Sequence, residues 1–149
     1  MLLSTPGGRK IGIEVTELID EKAMRAFARQ KSASSIRDDF GGGPPWVDWS
    51  VEKITNGVLK AIAAKDQKLA KVAGDYNELF VAIVTDESGV YEEIARKAAS
   101  LCNTAVSVVT RAFLILSYHP QADTNLYPDG CVVLPIKLVP RAELGRLGQ

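Results

Sequence analysis

The sequence predicts a single α/β domain, a mixed sheet flanked by helices, and three observations predict it. Strand-like and amphipathic helical segments alternate along the chain. The segment Glu78 to Thr85 is apolar without alternation, the mark of a strand covered on both faces. With 149 residues, 46% of them hydrophobic, and no internal boundary, the chain suits one compact core.

Leu2 to Ser4, the turn signal Pro6-Gly7-Gly8 and Lys10 to Thr16 read as a β-hairpin. Asp20 to about Ser34 has helical spacing, with Ala23, Met24, Phe27 and Ala28 on one face. Gly41 to Pro45 breaks the pattern and marks a surface loop. Trp46 and Trp49 follow, and Asp48 or Ser50 can cap the long helix predicted from Val51 to about Ala73. After the buried strand come a helix from Glu92 to Cys102 and two strands, Phe113 to Tyr118 and Cys131 to Leu138. The domain is expected to span residues 1–139, and residues 140–149 to form a frayed tail.

Composition excludes several classes. Eighteen basic residues balance 18 acidic ones, so no global field draws the chain to nucleic acid or to an anionic membrane. Cys102 and Cys131 are too few and too distant in sequence for a disulfide framework or a zinc site. The stretch Ala105 to Tyr118 carries Arg111 and is shorter than a membrane span. His119 is the only histidine and sits beside Pro120, which leaves triad or zinc chemistry little to draw on. The expectation is a cytoplasmic protein without a membrane partner.

Two charges interrupt apolar patterns. Ile11, Ile13 and Val15 alternate onto one face of their strand, which puts Gly12, Glu14 and Thr16 on the other. A carboxylate inside such a strand needs a partner, a metal or a shifted pKa. On the long helix, Val51, Ile54, Val58, Ile62, Leu69 and Val72 fall within roughly 40° of one line, and Lys65 falls on it too. Lys53, Lys60 and Lys71 point away, and Lys68 lies on the flank. Lys65 either snorkels to water or reaches a buried carboxylate, for which Glu14 is the best candidate. The other features have bland readings beside sharp ones. Glu17 and Asp20 suit a first helical turn as well as an auxiliary ligand set. Trp46 and Trp49 suit loop anchors as well as base-stacking platforms.

The run Ile11-Gly-Ile-Glu-Val-Thr-Glu-Leu18, the tryptophans, Ile62-x-x-Lys65-x-x-Lys68 and Leu79-Phe-Val-Ala-Ile-Val-Thr-Asp86 together resemble the restriction-endonuclease-like, PD-(D/E)XK nuclease superfamily, and within it small bacterial members. The resemblance covers roughly residues 2–138. It implies a restriction-endonuclease-like core and Mg²⁺-dependent phosphodiester hydrolysis of DNA or RNA. Glu14 matches the metal-binding Glu, and Lys65 can stand in for the lysine that stabilises developing charge. Thr16 stands at the family's usual lysine position, and no acidic residue precedes Glu14. The alternative is a catalytically inactive relative that serves as a binding or assembly module. Counted back from Glu14, the family's metal-binding Asp would fall at or just before Met1. The resemblance therefore implies a stunted first strand, an uncovered sheet and a homodimer through the exposed N-terminal sheet edge.

Overall fold

The computed structural model describes residues 1–20, 23–26, 28–29, 47–87, 89–117 and 131–144. Gly41 to Pro45, Trp46 and His119, and most of the helix expected up to Ser34, lie outside them. The described elements are β1 (Leu2–Ser4), β2 (Lys10–Glu17), α1 (Val51–Leu69), a 3₁₀ turn (Ala73–Asp75), β3 (Glu78–Thr85), α2 (Glu92–Leu101), β4 (Asn103–Val106), β5 (Arg111–Leu116), β6 (Val132–Pro140) and α3 (Arg141–Leu144).

The six strands form one mixed sheet in the order β1-β2-β3-β5-β6-β4, so the chain is an α/β domain. β1 and β2 make the antiparallel hairpin, with Gly8 at φ 76° in its turn, where only glycine is unstrained. β2, β3 and β5 then run parallel, because a helix-bearing connection returns the chain after each of the first two. β6 pairs antiparallel to β5 and parallel to β4. Pro135 is tolerated inside β6 because β4 begins its pairing only at Lys137, which among the described residues leaves the strand an open edge at that point.

α1 begins where Ser50 accepts a hydrogen bond from the Lys53 amide (3.1 Å). It buries Ile54, Val58, Ile62 and Leu69 against the sheet face carrying Leu79, Val81, Ile83, Ala112, Leu114 and Leu134. Each fully buried side chain of that size contributes about 1.5–3 kcal/mol. The helix stops at Leu69, the last buried position of its stripe and short of the expected Ala73. The chain then tightens into the 3₁₀ turn, and Val72 is left exposed. α2 packs Ala95, Ala98 and Ala99 onto the same layer. No helix among the described residues is long and apolar enough to cross a membrane.

Two expectations change. β3 is buried on one face only: Leu79, Val81, Ile83 and Thr85 are buried, while Phe80, Ala82 and Val84 are half-exposed. The chain after Leu138 is not frayed at once, since β6 runs through Pro140 and α3 follows. The four-residue β4 has no counterpart in the sequence reading. Asn103-Thr-Ala-Val is too short to show a period, and β4 exists because β6 offers it a pairing edge.

Candidate functional site

Glu14 lies on the α1 side of β2, paired in register with Val81 of β3. A carboxylate there faces a helix instead of water, and α1 supplies the answer. Lys65 Nζ donates to Glu14 Oε1 at 2.8 Å, and Lys68 Nζ donates to the same oxygen at 2.8 Å. The spacing of three residues puts both lysines on one flank of the helix, above β2. The side chains of Glu14 and Lys65 are 24% and 22% exposed and that of Lys68 is 64% exposed, so the trio sits at the mouth of a crevice. The structure thus brings together the two residues the sequence singled out, and adds Lys68.

The Lys65 hydrogen bond, and then that of Lys68, hold the Glu14 carboxyl down at about 2. Glu14 is therefore ionised at neutral pH, too weak a base to take a proton and never an acid there. Because its folded value lies below the ordinary 4.5, it contributes stability above that pH, and the contribution is lost as pH falls towards 2. Glu14→Gln should accordingly flatten the acid limb of a stability profile measured by urea unfolding between those values. An unchanged slope would mean that the carboxylate is solvated like any surface acid.

Beside the trio is a small cleft of about 200 Å³, lined by Gly12, Glu14, Lys68, Val72 and Tyr76 among others. A Cβ on Gly12 would come within 2.7 Å of Leu79 Cδ2 and 3.0 Å of Tyr76 Cδ1, so glycine lets the Tyr76 ring and Leu79 close over the strand.

Magnesium needs hard oxygen donors with room to face the ion. Among the described residues one carboxylate is on offer here, and two ammonium groups already occupy one of its oxygens. β1 pairs Leu2 with Gly12, and Met1 exchanges backbone hydrogen bonds with Ile13, so β1 places no acid opposite Glu14. Among the described residues no group of three or more His, Cys, Asp or Glu is arranged to hold a metal. The donor set that the described residues place around Glu14 does not fit Mg²⁺.

Asp66 is the residue that sequence reading missed. It is 4% exposed, on the buried stripe of α1. Oδ1 accepts from the amides of Ser107, Val108 and Val109 at 3.0, 2.9 and 3.0 Å, and Oδ2 from Ser107 at 2.8 Å. Burial works against its ionisation, but the three amides outweigh it and keep the carboxyl below its ordinary value. Three successive N–H groups form a nest for an anion, and here the anion is a side chain of the neighbouring helix. The bond pins the β4–β5 connection to α1 and fixes the rotation of the helix that presents Lys65 and Lys68. The signal was present in the spacing. Ile54, Val58, Ile62, Asp66 and Leu69 follow one another at i+4 or i+3, so Asp66 belongs to the buried arc, on the other side of its centre from Lys65.

The remaining residues have structural roles. Trp49 is buried with Lys53 Nζ 4.9 Å over its ring, and its Nε1 donates to Glu87 at 3.4 Å, an anchor for the start of α1. Asp20 caps the helical residues that follow it, accepting from the Ala23 amide at 3.0 Å, and pairs with Lys53. Glu17 is exposed. Cys102 is a core thiol whose pKa burial pushes up.

No family model, curated protein or solved structure matches the chain. The functional reading rests on the residues.

Proposed function

We propose that this chain is a catalytically inactive relative of the restriction-endonuclease-like nucleases that works as a binding and assembly module. The observation that carries the reading is the sharing of one Glu14 oxygen by Lys65 and Lys68. At the position where the family holds a metal, a lysine pair neutralises the carboxylate and leaves net positive charge. With Lys60 exposed on α1 and Lys71 exposed in the turn just after it, the surface suits the phosphate backbone of DNA or RNA, and the binding it gives is salt-dependent. A second copy of the chain is the other proposed partner.

Active Mg²⁺-dependent hydrolysis, with Glu14 as ligand and Lys65 as charge stabiliser, is favoured by one observation: α1 carries its lysine onto the carboxylate from across the crevice. One experiment separates the two readings. Calorimetric titration of the chain with Mg²⁺ and Mn²⁺, alongside incubation with single- and double-stranded DNA and RNA, should show no saturable metal binding and no cleavage. Metal-dependent cleavage that disappears in Glu14→Ala would establish the enzyme and discard the inactive reading.

A further inference from the structure

We infer that the cleft beside Glu14 takes a single unpaired nucleotide, its base against Tyr76 and its phosphate on Lys68, a deepening that rests on the nucleic-acid reading above. The cleft has two unlike sides. Glu14 and Lys68 supply a charged one, and Leu69, Val72, Tyr76 and Leu79 supply an apolar and aromatic one. Val72 is 41% exposed and Tyr76 is half-buried, so the apolar side is open to a ligand. Gly12 brings the two sides together. A Cβ there would stand 3.0 and 3.1 Å from Cδ1 and Cε1 of Tyr76, so the ring lies close on β2. Glu14 follows two residues later on the same side of the strand, which makes the ring and the charged trio neighbours.

Charge and size select the occupant. Each ammonium has three donors, and Lys65 and Lys68 each spend one on the same Glu14 oxygen. The trio therefore carries one net positive charge, and Lys68, 64% exposed, has donors left for a phosphate oxygen. Lys71, exposed beside Val72, adds a further positive charge. A ligand that is flat and apolar at one end and anionic at the other matches this split, and a nucleotide is such a ligand. At about 200 Å³ the cleft falls below the roughly 300–1,000 Å³ of a drug-sized site, and it has room for one ring system. A base inside a duplex is held between its neighbours, whereas an unpaired base is free to lie on an aromatic side chain.

Fluorescence anisotropy with end-labelled oligonucleotides is the test. A short single strand should bind, and the same strand made abasic throughout should bind about tenfold more weakly, the share that one stacked base contributes. Tyr76→Leu keeps apolar bulk but removes the ring, so the ratio of the two affinities should fall towards one, while Tyr76→Phe should keep it. Lys68→Met should weaken both strands alike, leave the ratio in place and lower the salt slope by about 0.7. Unfolding transitions measured alongside show that each variant is folded, and the abasic comparison on the unaltered chain needs no variant. Adenosine monophosphate as competitor distinguishes the source: displacement shows that the free nucleotide suffices, and no displacement shows that a strand must supply it. Equal affinity for base-bearing and abasic strands overturns the inference and leaves phosphate binding standing. So does a ratio indifferent to Tyr76→Leu, or displacement by ribose 5-phosphate as effective as by adenosine monophosphate. Failure to bind any strand would overturn the nucleic-acid reading itself, a different result from equal binding of the two strands.

Discussion

Replacing Asp66 with alanine should destabilise the domain by about 3 kcal/mol, more than any surface charge in the chain is worth. Three backbone N–H donors lose their acceptor at once, and leaving a buried donor unsatisfied costs about 1–3 kcal/mol. Val109 carries the largest share, because its amide is the most deeply buried of the three. Water can reach part of the Ser107 end, which keeps the sum well below three full penalties. Asp66→Asn should lose about half as much, since its amide oxygen still accepts while its NH₂ group faces donors. Urea unfolding measures both, and hydrogen exchange should show the amides of residues 107–109 losing protection first. A loss under about 0.5 kcal/mol for Asp66→Ala would put the residue in the ordinary range of surface substitutions and remove its anchoring role.

Asp66 also shows what this sequence makes legible and what it hides. Periodicity gives α1, α2, the hairpin and the central strands, because each has enough residues to display a period and a face. Glu14 and Lys65 were visible because a charge in an apolar pattern needs a partner, and each supplied the other's. Lys68 was harder to see, because an exposed lysine on a helix flank violates no pattern. Asp66 was hidden by its neighbour: a carboxylate satisfied by backbone amides needs no complementary side chain, so nothing elsewhere in the sequence announces it. The half-open face of β3 was hidden for a related reason. An unbroken apolar run records that both faces want cover, and not whether both receive it.

The exchange of partners around Glu14 leads to a graded expectation. Lys65→Met alone should cost only about 1 kcal/mol, because Lys68 already donates to the same oxygen and compensates the carboxylate by itself. Lys68→Met should cost no more, since its side chain is 64% exposed and gains little from the pair. With both lysines replaced, Glu14 is left between β2 and α1 with no cation, and the loss should rise to about 3 kcal/mol, the low end for a broken buried pair. The singles and the double therefore fail to add, the signature of side chains that share one partner. In the double variant the Glu14 carboxyl should titrate well above its value of about 2, and acid should cease to destabilise the fold through it. Introducing Glu14→Gln into that background should recover most of the loss, because the uncompensated charge is then gone. Strict additivity with no recovery would mean that the three charges act separately in water. The trio would then be a surface coincidence, and the reading of a site whose metal has given way to lysines would lose its support.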